Sequence, residues 1–155
     1  MRKNSKMLGE LTEQQIERLL KQQITGRIAC TDGHTPYIVP INYVYDGKNI
    51  RCHSVPGKKI DMMRNNPVVC FQVDDIANIF HWQSVVAWGR FEEITMMTEK
   101  EHTMQALTKR IMSFCDTETD HTSHALTDNE EDIGTKIELI FFKIVLIKKT
   151  GRFEI

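Results

Sequence analysis

Residues 50 to 71, "IRCHSVPGKKIDMMRNNPVVCF", bring four side chains of useful chemistry to one corner. The stretch reads as a strand ending at His53 and Ser54, a Pro56-Gly57 turn, Lys58 and Lys59, a short amphipathic helix and a second strand. A phosphate needs fixed cations, hydroxyl donors and free backbone N–H groups. Ser54 supplies a hydroxyl, and Lys58 and Lys59 supply charge. The turn ending at Gly57 leads into a helix N-terminus, whose unpaired N–H groups favour an anion. Lysines there meet a dipole of their own sign, so a pair of them points to a bound anion. A solvated basic turn has the same spacing, and spacing alone does not separate the two. His53 alternates with Cys52 and so faces the other side of its strand. It is either a structural residue at a strand end or, beside an anion corner, a proton-transfer group with an ordinary pKa near about 6.5.

The other histidines carry less. His121 and His124 form an H-x-x-H in an acidic stretch with no cysteine or glutamate framework, so no metal site is expected. His34 lies in a turn, His81 before a strand and His102 in a helix, all expected on the surface. The four cysteines, Cys30, Cys52, Cys70 and Cys115, make no C-x-x-C pair, and three fall in apparent strands. They read as small core hydrophobes of a reduced, cytoplasmic chain. No G-x-G-x-x-G, Walker loop, G-x-S-x-G or H-E-x-x-H occurs, which removes the commonest nucleotide, hydrolase and zinc-protease readings.

The elements that must hold the corner follow from pattern. Residues 11 to 26 form a helix capped by Thr12, with Ile16, Leu19, Leu20 and Ile24 on one face and Gly26 at its end. Strands follow at 27–31, 36–45 and 48–54, with Asp32-Gly33 and Asp46-Gly47 as turns. Pro40 cannot donate a ladder hydrogen bond, so it belongs on an edge, at a bulge or facing a ligand. A short helix at 58–66 places Ile60 and Met63 inward before Pro67 stops it. Two strands come next, at 68–74 and 82–94. A second long helix opens at Thr98, with Ala106, Leu107, Ile111 and Phe114 as its buried stripe. Residues 116–134 hold seven acids and no Lys or Arg, and read as a solvated loop. A long strand closes the chain. About six strands and three helices, dominated by antiparallel hairpins, predict a mainly β (α+β) fold, a small barrel with peripheral helices.

A chain of 155 residues suits a single domain, residues 1–155, with an N-terminal helix region in 1–25. Formal net charge is -1, from 20 basic and 21 acidic residues, so there is no global field for nucleic acid and any anion site must be local. No apolar run approaches the roughly 18–20 residues of a membrane span, and no apolar stretch follows the basic start as in a signal peptide.

In order, G-R-x-A (26–29), P-x-x-V-P (36–40), H-S-x-x-G-K-K (53–59), N-P-x-V-x-F (66–71) and W-x-S-V-x-x-x-G (82–89) resemble the pyridoxamine 5′-phosphate oxidase-like FMN-binding split barrels. The sequence is most similar to the flavin-nucleotide-binding branch that includes the 5-nitroimidazole-resistance proteins. The likeness runs from Gly26 to Glu93 and resumes in the last strand. It implies a six-stranded antiparallel split β-barrel that works as a homodimer, with FMN at the subunit interface. It implies that Val39, Pro40, Ile41 and Asn42 run along the isoalloxazine edge and that His53 and Ser54 lie beside the flavin. Lys58 and Lys59 would hold the phosphate, and Gln83 and Ser84 would reach the phosphate or ribityl chain. The C-terminal Trp and Arg-x-His-type substrate motif of the true oxidases is missing. The tail is "TGRFEI", with Gly151 and Arg152 alone retained, so the fold rather than vitamin B6 oxidation is expected. The expected function is that of an FMN-dependent oxidoreductase passing electrons to a small oxidised molecule such as a nitroimidazole, with His53 as the candidate catalytic residue. A non-catalytic flavin-binding module is one alternative. A haem-binding split barrel, with His53, His121 or His124 as axial ligand, is the other, and the H-S-x-x-G-K-K corner favours flavin.

Overall fold

The computed structural model describes residues 7–115 and 138–155. The elements are β1 (Leu8–Glu10), α1 (Glu13–Gln22), β2 (Thr25–Thr31), β3 (Pro36–Asn42), β4 (Val44–Tyr45), β5 (Asn49–Ser54), α2 (Lys58–Asn65), β6 (Val68–Asn78), β7 (His81–Glu93), α3 (Met97–Met112) and β8 (Ile140–Glu154). All strands join one antiparallel sheet in the order β3-β2-β6-β7-β8-β5-β4, with β1 paired to the end of β8.

That order explains the barrel. β3 and β4 are the two outer strands, yet only Tyr43 separates them in the chain. The sheet must therefore curl until its edges meet at Tyr43, and it stays open elsewhere. Tyr43 is fully buried, donates its hydroxyl hydrogen bond to the Leu20 carbonyl at 2.7 Å and stands edge-on to Phe71, 4.8 Å between ring centres. This residue makes eight strands of the six expected, since it divides the anticipated 36–45 strand, and β1 adds the other. Pro40 lies on edge strand β3, where its missing N–H costs no ladder bond.

Both Asp-Gly signals form turns. Asp32 Oδ1 accepts from the N–H groups of His34 and Thr35, and Asp46 Oδ1 from those of Lys48 and Asn49. Gly33 and Gly47 take the positive φ that follows. Ile28, Ile50, Phe71, Val73, Val85, Phe142 and Ile144 fill the barrel completely buried. α1 adds Leu19 and Leu20, and α2 adds Ile60 and Met63.

Three expectations are corrected. α1 carries the expected Thr12 cap, as a full capping box with Gln15, but stops at Gln22. Gly26 lies instead inside β2, where an added Cβ would sit 2.3 Å from the Phe71 ring. α3 starts at Met97, and its buried stripe is Thr103, Leu107 and Ile111. Ala106 and Phe114 are exposed, because α3 rests on the sheet by one narrow edge. The acidic segment 116–134, with His121 and His124, lies outside the described residues. Among the described residues, no helix is long and apolar enough to cross a membrane.

Candidate functional site

The corner at α2 gathers the groups that the sequence offers to an anion. Ser54 ends β5 on its buried side, its hydroxyl donating to the Val55 carbonyl at 3.0 Å. Gly57 is the N-cap of α2 and brings no side-chain cap; the first backbone bond of the helix runs from Asp61 N–H to Gly57 O. The N–H groups of Lys58, Lys59 and Ile60 lie ahead of that first bond, as at any helix start. Lys58 is exposed, with Nζ 4.8 Å from the centre of the Tyr37 ring. Lys59 is half-buried, and its charge reaches the Cys30 and Cys52 thiols, although burial still pushes both thiols up. Two cations and an uncapped helix start, beside the Ser54 hydroxyl, are groups that would suit a phosphate, although the charge of Lys58 also reaches Asp32 and Asp61 lies in the first turn of α2. An added Cβ at Gly57 would meet nothing within 4 Å, so the corner opens to solvent.

From Tyr37, β3 carries the next part of the predicted set. Val39 and Ile41 face the barrel interior, while Pro40 and Asn42 face outward with Ile38. Cross-strand rows order that outer face. Ile38 pairs with Ala29, Ala29 with Cys70 and Cys70 with Trp88, an apolar row. The next row runs Pro40, Arg27, Gln72, Val86. Below it the surface is polar: Thr25 Oγ1 donates to Asn42 Oδ1 at 2.8 Å, and Gln72 Nε2 donates to Asp74 Oδ2 at 2.8 Å and Ser84 Oγ at 3.0 Å. Arg27 Nη1 lies 3.4 Å from Gln72 Oε1 and 3.5 Å from Asp74 Oδ2.

The structure thus groups Ser54, Lys58 and Lys59 at one end of the barrel, and Pro40, Asn42 and Ser84 on the outer face. Gln83 is on the opposite face of β7 from Ser84 and lines a groove at the α1 end. Gln83 and Ser84 pair with Asp75 and Asp74, while Tyr37, under Lys58, pairs with Cys30 and is followed in register by the Ala29–Cys70 pair. Tyr37 thus lies at the level of Val69, and five to six residues along β6 separate these levels, about 18 Å at ~3.3 Å per residue. Within one chain, the Gln83-Ser84 pair and the lysine pair do not converge.

His53 shares the outer face of β5 with Arg51, opposite Cys52 and Ser54. Its ring lies 5.8 Å from that of Phe141, its partner on β8. Burial holds its pKa below the ordinary histidine value, so it is chiefly neutral at pH 7. On the same face, Arg51 bonds to Asp46 at 2.6 Å and Glu99 at 2.9 Å, and Lys143 meets Glu99 at 2.9 Å. Among the described residues, no group of three or more His, Cys, Asp or Glu side chains is placed to hold a metal ion.

The family model described as pyridoxamine 5′-phosphate oxidase matches residues 12–136. The chain belongs to that family. A FAD-binding protein of Mesorhizobium loti is similar over 95% of this chain and 98% of its own, at 30% identity and a TM-score of 0.74. A candidate 5-nitroimidazole antibiotic resistance protein of Bacteroides thetaiotaomicron shares the fold over 96% of this chain and 89% of its own, at 21% identity and a TM-score of 0.71. An uncharacterised protein of Rhizobium meliloti, RA0666, is 46% identical over 69 residues, which are 44% of this chain and 46% of that protein. The chain therefore matches about half the length of that curated relative.

Sequence reasoning passed over Tyr37 and the Arg27–Gln72–Asp74 group. Arg27 stands in the G-R-x-A motif, which was a usable signal. Tyr37 and Gln72 carried none, because only the β2–β3 and β2–β6 registers bring them to these places.

Proposed function

We propose that this chain is a flavin-binding split-barrel protein that takes FMN, with the phosphate at Ser54, Lys58 and Lys59 and the ring along Val39–Asn42. The observation that carries the reading is the donor set at the α2 corner, together with its placement at the Tyr37 end of an edge strand whose outward backbone groups are free to meet a ring. The likeness to a FAD-binding protein at 30% identity supports a flavin as the class of ligand. FAD would extend past the phosphate into the open space beside Gly57.

Two copies of the chain complete the site in this proposal. The outer face presents Ile38, Val68 and Trp88 at 62%, 54% and 38% exposure, an apolar patch that a second copy would cover. Ser84, on the outer face with Pro40 and Asn42, lies too far from Lys58 and Lys59 to serve the same phosphate, so it supports a cofactor shared between subunits. A bound flavin supplies electron transfer, and the protein supplies binding and orientation. The proposed activity is reduction of a small acceptor in the cytoplasm, with His53 as the group to test for proton transfer.

The absorbance spectrum of the purified protein tests the class of cofactor. Two bands of a flavin support the reading, and an intense Soret band replaces it with haem. For a colourless preparation, titration with FMN, FAD and riboflavin decides the ligand, and failure of all three to saturate overturns the proposal. Single-turnover oxidation of the dithionite-reduced, FMN-loaded protein by a 5-nitroimidazole under nitrogen tests the activity. A rate no faster than that of free reduced FMN leaves a binding module. His53→Asn with FMN affinity kept should slow the reaction by about 10²-fold or more if the ring moves the proton, and an unchanged rate removes it.

A further inference from the structure

The groove at the α1 end has chemistry opposite to that of the lysine corner. Its volume is about 380 Å³, and it lies between α1, β1, the β6–β7 hairpin and the end of β8. Its walls include Leu11, Ala77 and Phe153, and its polar groups include Asp75, His81 and Gln83. No Lys or Arg is among the lining residues, and Asp75 is their one carboxylate side chain. We propose that this groove is a second small-molecule site, and that it takes a planar heteroaromatic ring that is neutral or positively charged.

The size argument comes first. Small-molecule pockets run from about 300 to 1,000 Å³, so this one holds a single ring system rather than a dinucleotide. Charge narrows the class. Among the described residues, no lining Lys or Arg would offset Asp75 for a phosphate or carboxylate, whereas a ring cation gains from the same carboxylate. The Phe153 ring gives an apolar wall that also attracts cations. It is held in place by the backbone of Gly9, where even one added carbon would come within 2.8 Å of the ring. The Gln83 amide, on the interior face of β7, can donate to and accept from the polar edge of a heterocycle. An oxidised nicotinamide ring has this chemistry: flat, cationic, with an amide on its edge.

Three probes share one ring and differ in charge: 1-methylnicotinamide (cation), nicotinamide (neutral) and nicotinate (anion). Titration of the full chain, followed by amide and indole N–H chemical shifts, should give saturable shifts at Ala77, Trp82, Gln83 and Phe153. For so few atoms the dissociation constant should be on the order of 1 mM. The cation should bind about two- to fivefold more tightly than the neutral ring, the size expected of one solvent-exposed charge pair. Nicotinate should bind least. Asp75→Asn should make cation and neutral ring equal, and Ala77→Trp, at an exposed position, should abolish binding of both. Equal affinity for nicotinate, shifts elsewhere, or no saturation overturns the site. So do groove signals that vary with protein concentration before any probe is added, since a second copy then fills it. FMN titrations on the same samples keep the two readings apart. Lost charge preference with FMN affinity kept refutes only this groove, and lost FMN binding with charge preference kept refutes only the flavin corner.

Discussion

Lys58 and Lys59 differ in a way that makes the phosphate corner testable residue by residue. A hydrogen bond from a charged group contributes about 1.5–3 kcal/mol. Lys59 is half-buried and its charge reaches Cys30 and Cys52, so it has less solvent to give up than Lys58 and should realise most of that. Lys59→Ala should therefore weaken FMN binding by about ten- to a hundredfold, at ~1.4 kcal/mol per factor of ten. Lys58 is exposed and lies over Tyr37 at 4.8 Å, a contact worth about 0.5–1 kcal/mol that it must surrender to reach the phosphate. Its alanine variant should lose less, about three- to thirtyfold. Riboflavin has no phosphate and should bind all three proteins nearly alike. The assay is quenching of flavin fluorescence on titration, with circular dichroism to show that each variant is folded. An FMN affinity unchanged in the double variant refutes the corner. Equal losses for riboflavin and FMN also refute it, since the lysines would then act through the fold.

Trp88→Glu combined with Ile38→Glu places two charges in the exposed apolar row and should convert a dimer to monomer in sedimentation, with weaker FMN binding; a dimer that persists moves the interface elsewhere. His53 has its pKa depressed by burial, so the unfolded chain binds its proton more readily. Its contribution to stability is complete above about pH 6.5 and is lost as pH falls from there toward the folded-state value. Urea midpoints at pH 7 and pH 5 should drop more for the parent protein than for His53→Gln, and parallel drops would remove His53 as the cause. Gly89→Ala should destabilise by about 1–3 kcal/mol, because its Cβ would lie 2.4 Å from the Val145 carbonyl oxygen at the β7–β8 register shift. An unchanged urea midpoint would show that the strands part without cost.

The sequence by itself determined the local elements and the chemistry of the corner. Thr12 with Gln15, the two Asp-Gly turns and Pro67 act over three or four residues, so their signals are complete in the chain. His53, Ser54, Lys58 and Lys59 likewise lie within one strand-turn-helix unit. Tertiary structure alone decided how far that corner extends. Pairing of β3 with β2, and of β2 with β6, sets Arg27 beside Pro40 and Gln72 beside Arg27, across 13 and 45 residues of chain. Alternation along β7 turns Gln83 and Ser84, neighbours in sequence, to opposite faces, and only the packing of α1 and β1 makes a groove on one of them. The break at Tyr43 was invisible for the same reason. Its apolar, β-favouring neighbours predict one strand, and only the meeting of two sheet edges, with the hydroxyl reaching Leu20, divides it in two.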